Sequence, residues 1–557
     1  MYRGMTSSWT KRTKPQKQDV DLFTPTFTSG LIADYFKLLH GDKFICVDDK
    51  LYSFNGVYWE KEDGKHSELI KFFDKVFYGN LLTYATEKMT MFNTELSVQN
   101  TINEFQPESE EYKQKDTEIK ANLNKVKTNI ALITELYKNI NKLRNNNIRK
   151  AYIDDILIFI SNNKIQFDTN PYLFAFNNKV FDLKLGAFVE PRPEYYITQN
   201  TKYDYIESST EKIKELDDFI NTIFPNPEIK IDYLTVLATG LCGFQIENLF
   251  VASGGGRNGK GVINSLMMKT VGDYGYNLPA HALLQEIKEG PNPELANLHN
   301  KRFVVASEPE KNKKINCSAM KKITGDPILP VRGLYTGNCE TKLLLSLILE
   351  CNTDPIFDEV NDAVLMRIRN SLFESKFYTE NEYNELDEET KLTAVVGNPY
   401  YKKYEFRDEF KCVLFDLLLP YFKKFQENNY SLKPMPRVCA QRCTKYLAVS
   451  DDVFNWFNEF YEKTETIEES DPISFTDIYD YFKHSEFFDN FNKSDKRKYN
   501  RKYFCEKIES NMFMKKFVKT RDSRHNGQQI KNDSIVGWRR VKTENSIVEA
   551  EFIEEMR

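Results

Sequence analysis

Seven consecutive residues, Gly254-Gly255-Gly256-Arg257-Asn258-Gly259-Lys260, hold the chemistry most readily read from this chain. Glycines at this density let successive backbone N–H groups turn inward on a polyphosphate, and Lys260 brings a point charge to its outer phosphates. The apolar run Leu249-Phe250-Val251-Ala252 before the loop predicts a buried parallel strand. Behind it, Val262, Leu266, Met267 and Thr270 carry helical spacing, so a helix N-terminus adds its partial positive charge. Strand, glycine loop, lysine and helix form a phosphate-binding loop, with Gly254, Gly255, Gly256, Arg257, Asn258, Gly259, Lys260, Gly261 and Val262 as the expected lining. The rival reading, a glycine-rich hairpin without a ligand, accounts for neither flank. Gly261 departs from the pattern: Ser or Thr ordinarily stands there and ligates Mg²⁺. Nucleotide binding is therefore better supported than metal positioning.

Two later segments supply what a phosphate loop lacks. Arg302-Phe303-Val304-Val305-Ala306-Ser307-Glu308-Pro309-Glu310 reads as a second buried strand ending in acids. A carboxylate there can orient Mg²⁺ and polarise a water, and Glu308 is the better candidate base. Ser307 stands where many such sites carry Asp, so its hydroxyl is a candidate metal ligand; Glu310 is either a supporting residue or merely solvated. A third apolar strand, 343–350, ends at Cys351-Asn352-Thr353, where the Asn352 amide can reach a γ-phosphate or an attacking water.

These groups need a large scaffold, and 557 residues allow about three to four domains. No apolar run approaches the ~20 residues of a membrane span. The first residues, MYRGMTSSWTKRTKPQKQ, read as a disordered basic arm over 1–28. Nine scattered cysteines, only Cys439 and Cys443 close together, exclude an obvious zinc site and fit a reducing compartment. A net charge of −5 argues against a surface basic throughout, while local basic patches remain open.

In chain order, residues 29–70 suggest a helix and short strands, with a hairpin turning at Asn55-Gly56 and aromatics in the core. Residues 84–150 are charged and helical; Leu123, Val126, Ile130, Ile133, Tyr137 and Ile140 form one apolar stripe, expected to pack on an earlier helix. Residues 171–203 read as short strands with turns at Asn177-Asn178 and Leu185-Gly186. Residues 400–448 look helical. Beyond Asp451, a helix from Val453, a second starting at Ser474, a third capped by Ser494 and strands at 513–518 and 534–541 suggest a winged helix. Residues 491–542 hold 16 Lys/Arg and 5 Asp/Glu, a local excess of +11 that favours nucleic-acid contact. Lys498, Arg501 and Lys502 on the third helix, and Arg521, Arg524 and His525 in the wing, are the expected contacts, to phosphate more than to bases.

A family resemblance joins these pieces. The run Leu173-Phe174-Ala175-Phe176-Asn177-Asn178-Lys179-Val180-Phe181-Asp182-Leu183, with Pro191-Arg192-Pro193-Glu194 and Tyr196-Ile197-Thr198, resembles the accessory domain ahead of the helicase in poxvirus, giant-virus and phage or plasmid primase–helicases. The phosphate loop, Ser307-Glu308-Pro309, Thr324-Gly325-Asp326 with Arg332-Gly333-Leu334-Tyr335, Asn352 and Ala363-Val364-Leu365-Met366-Arg367-Ile368 together resemble the superfamily 3 helicases, a branch of the AAA+ ring ATPases. The resemblance implies an α/β fold: an AAA+ P-loop ATPase core with an N-terminal α+β accessory domain and a C-terminal winged-helix module. Its expected bounds are 29–212 for the accessory domain, 213–400 for the ATPase, 401–450 for a helical lid and 451–557 for the winged helix.

It further implies catalytic roles for Lys260, Glu308 and Asn352, and for Arg367 as an arginine finger reaching the next subunit's nucleotide, with Arg369 as its substitute. The cofactors implied are ATP and Mg²⁺. A hairpin over 328–345, tipped near Tyr335, is expected to line a central pore, with Arg332, Tyr335 and Lys342 on DNA. The expected protein is an ATP-dependent DNA helicase of viral or mobile-element replication: a homo-oligomeric ring, expected as a hexamer, on single-stranded and forked DNA. It acts inside the infected cell (cytoplasm or viral factory), without a membrane and with a primase either separate or missing from the chain. The alternatives are a duplex DNA translocase or packaging motor and an ATP-binding DNA scaffold with weak hydrolysis. A P-loop kinase would leave Arg367 and the basic C-terminal module unexplained.

Overall fold

The structure is a computed structural model that describes residues 22, 27–104, 110–288, 290–310, 313–331 and 340–541. The chain divides into two compact units, one within residues 1–170, 177–180 and 188–200, the other within 171–176, 181–187 and 201–557.

In the first unit the helix Ser29–His40 is capped by Thr28, whose hydroxyl accepts from Leu31 N, and buries Ile32, Tyr35 and Phe36. A three-stranded antiparallel sheet follows: Phe44–Val47, Lys50–Phe54 and Trp59–Lys61. The turn falls at Asn55-Gly56 as expected: Gly56 takes φ +105° and Asn55 Oδ1 accepts from Val57 N and Tyr58 N. Trp59 is buried and donates its indole N–H to Pro193 O at 2.8 Å, which fits a core role for the aromatics. Helices Tyr78–Glu104 and Glu110–Lys142 pack together through the stripe read in sequence; Val126, Ile133 and Ile140 are fully buried, and Tyr137 OH meets Thr86 Oγ1 at 2.6 Å.

The second unit is built on a five-stranded parallel sheet: β1 (Leu249–Ser253), β2 (Gly275–Leu278), β3 (Phe303–Ala306), β4 (Ser346–Cys351) and β5 (Ile368–Leu372). The spatial order is β5-β1-β4-β3-β2, all neighbours parallel. β1 and β3 are buried along their whole length, which is why they read as continuous apolar runs rather than alternating ones. One face packs Leu249, Val251, Val304, Ala306, Leu347, Leu349 and Ile368 against Tyr446 and Leu447 of the helix Arg437–Ser450. On the other run the helices Pro227–Thr239, Lys260–Val271 and Tyr404–Glu427. The chain is thus mixed α/β with a parallel sheet, and no helix among the described residues is long and apolar enough to cross a membrane.

Past Asp451, which caps the helix Asp452–Phe460, a separate core gathers Trp456, Phe457, Phe482, Phe504, Ile535 and Trp538. Ser474 caps Phe475–Lys483 as read from sequence. The third helix differs from expectation. It is two helices, Lys493–Lys498 and Arg501–Ser510, and the longer one is capped by Asn500, not started at Ser494. The break lets Tyr499 turn inward, where its hydroxyl donates to Asp452 at 3.0 Å. The strand expected at 513–518 is largely a 3₁₀ turn, Lys515–Phe517, before the two-residue strand Val518–Lys519. Ser534–Ile535 pairs with that strand and with Ile473–Ser474, while Arg524–His525 and Gln528–Gln529 form a small hairpin turning at Asn526-Gly527.

Candidate functional site

The glycine loop leaves the carboxyl end of β1, at the point where the sheet order reverses between β5 and β4, the usual ligand crevice of an open parallel sheet. Gly254 takes φ +148°, and a Cβ there would run into the Phe373 carbonyl oxygen; Gly259, at φ +85°, begins the helix, and a Cβ would meet Ile223 at 2.9 Å. Glycine is required at both positions, by conformation and by space. Gly255, Gly256 and Gly261 face open space. Asn258 is buried, its Oδ1 accepting from Lys260 N at 3.3 Å, and its Nδ2 has no hydrogen-bond partner. A buried orphan donor in a glycine cradle at a helix N-terminus fits an anionic phosphate.

Lys260 is 5% exposed and donates to Gly254 O at 2.6 Å and to Asn352 Oδ1 at 3.2 Å. Burial pushes its ammonium below the usual lysine range, against the pull of Glu350, Cys351 and Glu308. Asn352 follows the last residue of β4 and also donates from Nδ2 to Glu308 Oε2 at 2.6 Å. Its backbone N–H and that of Thr353 donate to Glu308 Oε1 at 2.8 and 3.3 Å. Lys260, Asn352 and Glu308, picked separately from sequence, therefore form one hydrogen-bonded chain across the carboxyl ends of three adjacent strands. Ser307 and Glu308 are exposed there. Among the described residues no three His, Cys, Asp or Glu side chains cluster to hold a metal. A hydroxyl and one carboxylate are nevertheless hard oxygen donors of the kind that suit Mg²⁺ when phosphate and water complete its shell.

Other expectations are redistributed. Arg257, expected at the phosphates, gives its guanidinium to both carboxylate oxygens of Glu382 at 2.8 and 2.9 Å, which holds Glu382 down at about 2. Val262 lines, with Gly259, Phe219, Phe377 and Tyr401, a cavity of about 200 Å³ beside the loop. Three residues of the site escaped the sequence reading: Glu350 accepts from Asn264 Nδ2 at 2.7 Å, and Asn264 accepts from the buried Tyr233 hydroxyl. The available signal was the alternation of β4, which puts Glu350 on the face of Asn352.

Arg367 closes the short helix Asp362–Arg367 just before β5, where Ile368 is level with Leu249 at the start of β1. The loop leaves the other end of β1, roughly 16 Å away at the usual strand rise. The guanidinium lies 3.8 Å from the exposed Glu247, and its buried Nε has no partner. Arg369 cannot substitute for it: it is buried in β5 and ion-paired with Asp232. Lys342 closes the strand Glu340–Lys342, which pairs with Ile328–Pro330; Arg332 and Tyr335 lie outside the described residues. In the C-terminal module Lys498, Arg501, Lys502, Arg521 and Arg524 are exposed. Lys498 lies over the Tyr503 ring, Arg501 donates to Thr476 Oγ1, and Lys502 stands 3.9 Å from Glu506. His525 is corrected: it is buried, with Nε2 2.9 Å from Ser470 O, and presents nothing to a ligand.

Comparison with known proteins adds to this geometry. Residues 31–225 match the family model described as D5 N terminal like. A candidate helicase of Acanthamoeba polyphaga mimivirus, L207/L206, is 27% identical over 61% of this chain and 36% of its own length. Primase D5 of fowlpox virus (strain NVSL) is 26% identical over 53% of this chain and 38% of its own. These matches make the chain similar to the D5-like primase–helicases of poxviruses and giant viruses. A further relative, the candidate helicase 184R of Invertebrate iridescent virus 6, is 25% identical over 84% of this chain and 50% of its own length. The chain spans about two fifths of the length of the first two relatives. The apo structure of the NrS-1 C-terminal region aligns with 12% identity over 66% of this chain and 83% of that one, at a TM-score of 0.35.

Proposed function

We propose that this chain is the motor part of an ATP-dependent DNA helicase of viral replication, an AAA+ ATPase of the superfamily 3 type. The observation that carries the reading is the linked trio Lys260–Asn352–Glu308 beneath a glycine cradle with an unpartnered amide donor. Lys260 exchanges Gly254 O and Asn352 for the outer phosphates. The loop N–H groups and the Asn258 amide hold the phosphate chain, and the apolar cavity at Phe219, Val262, Phe377 and Tyr401 takes the base. Released from Lys260, the Asn352 amide positions the attacking water and Glu308 takes its proton. Glu308 and Ser307 would hold Mg²⁺, which when bound would neutralise charge at the phosphates.

Arg367, a strand's length from its own loop, serves the nucleotide of a neighbouring subunit, which supports a homo-oligomeric ring, a hexamer in this reading. Lys342 and the exposed cations of a winged-helix-like C-terminal module, Lys498, Arg501, Lys502 and Arg524, contact single-stranded or forked DNA. Gly261, with no hydroxyl to offer a metal, favours one second reading: a ring that ATP locks on DNA with little turnover.

The test is ATPase activity with Mg²⁺, with and without single-stranded DNA, for the unaltered chain and Lys260→Ala, followed by strand displacement on forked DNA. DNA-stimulated turnover abolished by the substitution, together with unwinding, is expected. Turnover without unwinding selects a duplex translocase, and ATP binding without turnover selects the locked ring.

A further inference from the structure

The phosphate site contains an acid that a nucleotide-binding loop does not need. Glu350 lies in β4 two residues before Asn352, so both side chains leave the same face of the sheet. Asn352 holds Lys260. Asn264, one turn beyond Lys260 on the same side of the loop helix, donates to Glu350 Oε1 at 2.7 Å. Asn264 is itself fixed by the hydroxyl of Tyr233, a fully buried residue of the neighbouring helix Pro227–Thr239. The carboxylate is therefore tied to the loop helix one turn from Lys260. Glu350 and Glu308 both favour the charged form of the lysine, against the effect of its burial. A negative charge fixed here repels the phosphates the loop is built to hold.

We propose that Glu350 is a built-in electrostatic opponent of the phosphate site: its fixed negative charge offsets part of the positive field of Lys260 without pairing with it and weakens the loop's grip on polyphosphate, so that nucleotide exchanges readily. The inference rests on the nucleotide reading of the site and adds to it a residue that sets affinity by charge rather than by contact with the reaction. It assigns a function to the Glu350–Asn264–Tyr233 chain, which neither the phosphate cradle nor the Glu308–Asn352 pair uses.

The experiment measures ATP, ADP and AMP binding to the full chain, with and without Mg²⁺, for the unaltered protein, Glu350→Gln and Asn264→Asp. Glutamine keeps a carbonyl to accept from Asn264 while losing the charge. Glu350→Gln is expected to tighten ATP on the order of tenfold, ADP less and AMP least, and this gain shrinks between about 0.05 M and about 0.5 M salt. Asn264→Asp, which adds charge at the same place, is expected to weaken binding in the same graded order, so the inference can be judged even if one variant fails to fold. An unchanged affinity, or a loss equal for all three nucleotides, overturns it in favour of a structural role. A loss confined to Mg²⁺ conditions overturns it in favour of a metal ligand. If the unaltered chain binds neither ATP nor tripolyphosphate, the nucleotide reading itself fails. If ATP binds and the variants leave affinity untouched, only the role of Glu350 fails.

Discussion

The two ends of the parallel sheet differ in how they satisfy their charges. At the carboxyl ends, Lys260, Asn352 and Glu308 find one another within the chain, at 2.6–3.2 Å. At the opposite edge Arg367 has a loose neighbour in Glu247 at 3.8 Å, whose side chain is 70% exposed. Two residues on, Arg369 is paired with Asp232, and both side chains are 9% exposed. A buried charge is retained in a fold when it is paired, and a half-buried cation with spare donors costs free energy unless something else meets it. The contrast separates an arginine locked into the fold from one left loosely held, and under the proposed function it distinguishes the nucleotide end from an edge open to a second subunit.

Substitution at the nucleotide end should have the largest effect. Lys260→Ala is expected to lower ATP turnover by about 10³-fold and to weaken nucleotide binding as well, since the lysine holds the phosphates in the ground state and their developing charge more strongly in the transition state. Retained binding in a titration would break the picture of Lys260 as the phosphate clamp. Arg367→Ala should lower turnover by about as much while ATP still binds. Mixing it with Lys260→Ala sharpens the comparison. Partial recovery of turnover in mixed oligomers shows that the two ends meet across a subunit boundary; no recovery confines Arg367 to its own chain.

Stability should reverse the ranking of the two arginines. Arg369→Met leaves Asp232 buried and uncompensated, and denaturant unfolding is expected to show a loss of about 3–5 kcal/mol. Arg367→Met should change stability by no more than about 0.5 kcal/mol. Equal losses would erase the distinction. The smallest effect is expected from Gly261→Ser. A Cβ there meets nothing within 4 Å, so the fold should be untouched, and turnover at limiting Mg²⁺ should rise by no more than about tenfold if a hydroxyl is what the site lacks. A fall in activity would show that the metal is held without any help from this position.

Much of the site was legible because its signals are local. A glycine loop between an apolar run and a helical period is bound by the geometry of its own twenty residues. The strands ending at Ala306 and Cys351 were likewise visible as apolar runs followed by polar residues. Glu350 was hidden because a single acid inside an apolar strand looks like an interruption until the strand's neighbours are known. The break at Tyr499-Asn500 was missed because Ser494 and Asn500 are both acceptable caps, and only the burial of Tyr499 chooses between them. His525 looked like one more cation in a basic segment, yet the hairpin at Asn526-Gly527 turns it inward.

The sequence by itself determined the glycine loop, the strand before it and those ending at Ala306 and Cys351, the helical stripe at 123–140 and the concentration of positive charge after residue 490. These depend on backbone conformation and hydrophobic period over a few residues, where composition decides. The tertiary structure alone decided that Glu308 and Asn352, 44 residues apart, share hydrogen bonds, that Lys260 reaches Asn352 across 92 residues, and that Arg367 is only loosely held while Arg369 is locked to Asp232. Each of these follows from sheet order and strand register: parallel strands distant in the chain place their ends side by side, and a shift of two residues along one strand carries an arginine from the rim of the sheet into its interior.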